Sequence, residues 1–128
     1  MKMEKGKLIT YWIATGLVSF GMLGSGIAQV LKTKDMVDMI THLGYPTYFL
    51  CILGVWKILG VIAILLPRFP LVKEWAYAGF FFAMTGALVS HLASEDYGVK
   101  EILGPLMQSI FIVLSWYCRP ASRKIALN

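Results

Sequence analysis

Residues 47–66, TYFLCILGVWKILGVIAILL, form an apolar run in which Lys57 is the one charged side chain. A helix that crosses the hydrocarbon core of a bilayer needs about 20 predominantly apolar residues, so this run predicts a membrane-spanning helix. A charge near the centre of such a helix is costly and marks a candidate functional site. Gly54 and Gly60 share a helical face with Lys57 and leave room there for a neighbouring helix.

Three further apolar segments, 8–31, 75–94 and 102–118, have the length of a spanning helix. The composition agrees, with 58% hydrophobic and 15% charged residues and a mean hydropathy of +0.69. We therefore predict an all-α fold with one transmembrane domain over residues 1–128, an integral membrane four-helix bundle. The first segment is longer than the apolar region of a signal peptide, so we expect it to remain uncleaved.

The loop between the first two segments contains a helical pattern over 35–43. Its apolar residues Met36, Met39, Ile40 and Leu43 recur at helical spacing, opposite Asp35, Asp38 and Thr41. Gly44 is suited to end a helix. We predict a short amphipathic helix in this first outer loop.

The basic residues predict the orientation in the membrane, because cytoplasmic loops carry an excess of Lys and Arg. One side would carry Lys2, Lys5, Lys7, Arg68, Lys73, Arg119, Arg123 and Lys124, and the other Lys32, Lys34 and Lys100. We expect a multi-pass protein of the cell (cytoplasmic) membrane with both termini in the cytoplasm. Because the net charge of +5 lies in these flanking clusters, we expect no nucleic-acid partner.

Polar residues of all four segments fall in the predicted outer half. The candidate ligand-binding residues are Lys57, His91, Gln29, Gln108, Ser25 and Ser90. In the third segment Gly79, Ala83 and Ala87 lead to His91 at four-residue spacing, which predicts a face turned into the bundle. His91 could equally serve only to hydrogen-bond a neighbouring helix. We predict an outward-facing polar pocket around Lys57 and His91, roofed by the loop helix.

Lys57 has no carboxylate at its own depth, since no Asp or Glu lies within the four apolar segments. A buried ammonium must be paired, hydrated or neutral. Three interpretations remain open: a structural tie to Glu101 or Asp96 at the rim, coordination of an anionic or carbonyl-bearing ligand, or a neutral lysine in a reactive role.

Other chemistry has weaker support in the sequence. Cys51 and Cys118 fall near opposite ends of their segments, so no bridge between them is expected. His42, His91, Glu95 and Asp96 lack the ligand spacing of a metal site, and we predict no metal. We assign no catalytic residue and no cofactor.

Several motifs together resemble the DoxX-like family of small membrane proteins. They are Leu43-Gly44-Tyr45-Pro46 with Tyr48-Phe49, then Leu53-Gly54, Lys57 and Gly60, then Lys73 to Phe80, and Gly86-Ala87 followed by Ser90-His91. The resemblance covers most of residues 10–117 and implies a four-helix membrane bundle. The family's name derives from a relative of the membrane subunit of a thiosulfate:quinone oxidoreductase, and the resemblance implies that other relatives are accessory membrane proteins. The absence of a cysteine pair argues against a redox activity of this chain's own.

Two functions of different classes follow. The first is an accessory or anchor subunit whose pocket binds a quinone-like, lipid-like or anionic small molecule, beside a membrane oxidoreductase partner or in a homo-oligomer. The alternative is a small transporter or permease for a polar or anionic solute, working as an oligomer. An enzyme ranks third, because the predicted pocket supplies no evident nucleophile.

Overall fold

A computed structural model describes residues 5–93 and 99–124, with all side chains in these ranges except those of residues 99–101 and 122. The described chain is all-helical. The helices are α1 (Lys5–Val30), α2 (Lys34–His42), α3 (Phe49–Leu65), α4 (Pro70–Ala93) and α5 (Val99–Tyr117), followed by a 3-10 turn at Ala121–Arg123.

The four long helices contact one another in a closed order. Helix α1 packs against α3 and α5, and α4 packs against the same two helices. All four contribute to one apolar core, formed by Val18, Met22, Val61, Ile64, Tyr77, Phe80 and Ile112. Helices α1 and α4 are long and apolar enough to cross a membrane, while α3 and the 102–117 part of α5 are apolar but shorter.

Helix α2 occupies the loop segment in which a helix was predicted. Ile40 is buried in it, whereas Asp35 and Asp38 are exposed. It ends at His42, and Gly44 follows in the left-handed region with φ of 90°. The amide of Gly44 donates a hydrogen bond to the carbonyl of Thr41 at 3.0 Å. A glycine past a helix end takes this conformation without steric cost, which is why Gly44 ends the helix as predicted.

Helix α4 begins five residues before the predicted segment, at Pro70. The sequence suggested a connection over 67–74, because that stretch carries two prolines and three charged residues. Proline suits the first turn of a helix, where its missing N–H has no intrahelical partner to lose. The connection between α3 and α4 is therefore only residues 66–69.

The C-terminus of α3 is held by two cationic side chains. Lys73 donates hydrogen bonds to the carbonyls of Ala63, at 2.7 Å, and Leu66. Arg123, from the chain after α5, donates to the carbonyls of Ile64 at 3.0 Å and Leu65 at 3.4 Å. The last carbonyls of a helix have no partner inside the helix, and positive charge is favourable beside them. Lys73 and Arg123 thus stabilise the end of α3.

The inward face of α4 differs from the predicted one. Gly79 is exposed, with open space around it, whereas Tyr77, Phe80 and His91 are buried. Residues four apart rotate by about 40° per step around a helix of 3.6 residues per turn, so Gly79 lies about 120° from His91. The prediction that Gly79 shares the face of His91 was wrong for this reason.

Candidate functional site

The side chain of Lys57 points into the protein, as predicted. It lies in the middle of α3 and is 7% exposed. Its Nζ donates a hydrogen bond to Ser25 Oγ of α1 at 3.2 Å. Ser25 Oγ in turn donates to the carbonyl of Met22 at 3.3 Å. The lysine is thereby held by a neutral hydroxyl, while its charge receives no compensation from that partner.

Two glycines bring α1 and α3 together beside this lysine. A Cβ added to Gly26 would lie 3.1 Å from the carbonyl oxygen of Gly54 and 3.1 Å from Cβ of Lys57. A Cβ added to Gly54 would lie 2.6 Å from the carbonyl oxygen of Gly26. Both positions must lack a side chain for the helices to approach this closely. The contact places the lysine stem against α1. The sequence indicated a close approach at Gly54 but did not indicate that Gly26 takes part in it.

Gln29 lies one helical turn beyond Ser25 on α1. It is 3% exposed, and its Oε1 has no hydrogen-bond partner among the described residues. Buried polar atoms in proteins nearly always have a partner, so such an acceptor is an unusual feature. Ser25 and Gln29 are four residues apart and therefore project from the same side of the helix.

Ser90 and His91 lie near the other end of α4 from Pro70. The hydroxyl groups of Ser90 and Tyr45 form a hydrogen bond at 2.8 Å, which joins the segment after α2 to α4. His91 is buried, at 4% exposure. The predicted rim partner Asp96 and the side chain of the other, Glu101, lie outside the described part of the chain, as does Glu95.

Gln108 lies between a different pair of helices, its own helix α5 and α1. Its Nε2 donates to the carbonyl of Leu17 at 3.5 Å, and its amide lies against Gly21 of α1. It therefore occupies the seam between α1 and α5. The structure joins Lys57 to Ser25, with Gln29 a turn away, whereas Ser90 pairs with Tyr45 and Gln108 with the backbone of α1.

Comparison with known protein families gives one assignment. The model of the DoxX-like family matches residues 13–117, which include Lys57 and the helices that surround it. The chain belongs to the DoxX-like family. With its two apolar helices of spanning length, this membership makes it a membrane protein. Comparison with curated proteins and with solved structures gives no match.

Two of the surface grooves in the described part of this DoxX-like chain lie between α4 and α5. One, of about 250 Å³, runs from Glu74 and Trp116 to Phe82, and the other, of about 340 Å³, lies beside Ser109 and Leu114. Both are predominantly apolar, and Lys57 lines neither. At the end of the first groove Glu74 accepts a hydrogen bond from Trp116 Nε1 and pairs with Arg119, both at 2.9 Å.

A buried hydroxyl cluster in this DoxX-like protein was not found from the sequence. Ser115 Oγ hydrogen-bonds Thr15 Oγ1 at 2.6 Å and the hydroxyl of Tyr77 at 2.8 Å, which joins α5 to α1 and α4. Tyr11 is buried, and its hydroxyl has no hydrogen-bond partner among the described residues. Thr15 and Ser115 are 100 residues apart in the chain. The spacing along one helix carries no signal of a partner on another helix.

The described residues form neither a disulfide nor a metal site. Cys51 and Cys118 are free thiols. Within residues 5–93 and 99–124, no three His, Cys, Asp or Glu side chains are placed to hold a metal ion. The remaining candidate is the Lys57 site, defined here as Lys57, Ser25 and Gln29.

Proposed function

We propose that this DoxX-like protein is a non-catalytic accessory or anchor protein of the cytoplasmic membrane that binds a lipophilic or anionic small molecule at the Lys57 site. Its four long helices would form a multi-pass bundle, with α2 on the outer surface and both termini in the cytoplasm. The closed order of contacts among α1, α3, α4 and α5 supports the bundle. The length of α3, 17 residues, is at the lower end of the roughly 17–25 that can span a bilayer.

One observation carries the binding function: a buried ammonium whose described hydrogen bond is to a neutral hydroxyl. Removing a charge from water without compensation is costly, and such a group in a membrane protein marks a ligand or ion site. An ammonium has three donors, and the hydrogen bond to Ser25 uses one of them. An anionic or carbonyl group would accept from the others.

The packing below the Lys57 site favours a binding protein over a transporter. The apolar core there includes Val18, Met22 and Ile112, which are almost wholly hidden from solvent. Below them, Thr15 and Ser115 join the helices through fully buried hydroxyl groups. A solute that passed Lys57 would have to part these contacts. Membership of the DoxX-like family supports the role of an accessory subunit. Such a subunit would act beside an oxidoreductase or in a homo-oligomer.

Thermal unfolding of the purified protein tests the binding function. We expect quinones, fatty acids or small anions to raise the melting temperature of the wild-type protein, because a ligand that binds the folded state at 100 times its Kd stabilises it by about 2.7 kcal/mol. Lys57→Met should remove this increase and remain folded, since an apolar chain of similar size can replace a buried charge. Lys32→Met, at an exposed lysine, is the control.

The results can contradict the proposal in two ways. If no ligand class stabilises the wild-type protein, the Lys57 site is not a binding site. If Lys57→Met prevents folding while Lys32→Met does not, Lys57 is a structural tie.

A further inference from the structure

The Lys57 site contains a buried cation without a described anionic partner and a buried hydrogen-bond acceptor without a described donor. Lys57 is a buried cation whose described partner, Ser25, is neutral. Gln29 Oε1 is a buried acceptor with no partner among the described residues. A ligand that only accepts hydrogen bonds would serve Lys57 and leave Gln29 unpaired, at a cost comparable to that of a lost hydrogen bond.

The two groups are close enough for one small molecule to reach both. Ser25 holds the ammonium, and Gln29 follows Ser25 by four residues on α1. Side chains so spaced on a helix have Cβ atoms roughly 5–6 Å apart. The close contact of Gly26 with Gly54 keeps Lys57 against this face of α1. Along α1, the residue that accepts from the ammonium and the residue that carries the amide acceptor are therefore one helical turn apart, and Lys57 and Gln29 are both more than nine-tenths buried.

Charge and hydrogen bonding together select the ligand. An anion would compensate Lys57, and a hydroxyl group would donate to Gln29 Oε1. The surrounding helices offer mainly apolar side chains, which suit a hydrocarbon body. Building on the proposed function, we propose that the Lys57 site binds an amphiphilic hydroxy acid, with its carboxylate on Lys57 and its hydroxyl donating to Gln29.

A pair of ligands that differ in one hydroxyl group tests this inference. Binding of decanoate and of β-hydroxydecanoate to the full chain in detergent would be measured by titration calorimetry. We expect the hydroxy acid to bind about tenfold more tightly, because its hydroxyl satisfies an acceptor that decanoate leaves buried and unpaired.

Two matched variants assign the difference to Gln29. Gln29→Met removes the unpaired acceptor, so the two acids should bind it equally. Gln108→Met is the control: its Oε1 is also buried without a partner in the described chain, but it lies in the seam between α1 and α5. It should retain the tenfold difference.

The possible failures are distinguishable from those of the proposed function. Equal binding of both acids by the wild-type protein would show that water satisfies Gln29, and would overturn the inference while leaving the Lys57 site a binding site. Binding of quinones alone would have the same meaning. If no ligand binds, both proposals fail. Loss of the difference in Gln108→Met as well as in Gln29→Met would show that the hydroxyl preference does not depend on Gln29.

Discussion

At the scale of single residues, Gly26 and Gly54 decide how closely α1 and α3 approach. Each would place an added Cβ against backbone atoms of the other helix, and backbone cannot move aside as a flexible side chain can. Gly24 lies two residues from Gly26 but has no atom within 4 Å of its own added Cβ. Glycines of one helix therefore differ in importance according to the face they occupy.

We expect Gly54→Ala to destabilise the protein by about 1–3 kcal/mol, the usual effect of overpacking a tight contact. It should also weaken any ligand binding at the Lys57 site, because the lysine stem lies at the same contact. Gly24→Ala should be neutral or slightly stabilising, since alanine favours helix more than glycine does. Thermal unfolding in detergent compares the two variants. Equal melting temperatures would show that the helices do not depend on this contact.

At the scale of elements, side chains from two other parts of the chain secure the C-terminal end of α3. Its C-terminal carbonyls accept hydrogen bonds from Lys73 of α4 and from Arg123 beyond α5. Arg123 also lies over the ring of Trp12 in α1, 5.2 Å from its centroid. This one arginine therefore ties the chain after α5 to both α1 and α3.

Replacing Arg123 should loosen this end of the molecule. Arg123→Gln should lower the free energy of unfolding by about 1–3 kcal/mol, because it removes charge-assisted hydrogen bonds to carbonyls at a helix end. Arg68→Gln makes the same change at an exposed arginine of the neighbouring connection and should have little effect. The two melting temperatures give the comparison. If Arg68→Gln lowers the melting temperature as much as Arg123→Gln does, the loss of a positive charge alone explains the effect.

The hydroxyl cluster joins three helices through one serine. Ser115→Ala would leave the hydroxyl groups of Thr15 and Tyr77 buried without this partner, which should cost about 1–3 kcal/mol. Ser109 is also buried in α5, but it donates only to the carbonyl of Pro105 in its own helix, at 2.8 Å. Ser109→Ala should therefore destabilise the protein less. Chemical denaturation of both variants would show whether the cluster contributes to packing.

At the scale of the whole molecule, the orientation in the membrane decides which side a ligand enters from. We expect a single cysteine at residue 122 to resist an impermeant thiol reagent in intact cells and one at residue 33 to react, in a chain whose Cys51 and Cys118 are replaced by serine. The excess of Lys and Arg around the termini and the 67–74 segment is the physical reason. Labelling in the opposite pattern would reverse the topology and place the Lys57 site nearer the cytoplasm.

The sequence by itself determined the features that arise from neighbouring residues. Runs of apolar residues predicted where the long helices lie, and Gly44 predicted the end of α2, because helix formation and termination depend on local chemistry. The isolated charge of Lys57 between two glycines predicted that it would turn away from lipid. Its burial agrees with that prediction.

The tertiary structure alone decided which helix faces meet. Ser25 is 32 residues from Lys57, and Arg123 is 59 residues from Ile64, so no local pattern could pair them. A small error in the assumed rotation of a helix also changes its inward face, as it did for Gly79. Pairing between helices depends on how all four pack at once, and that packing is a property of the folded chain.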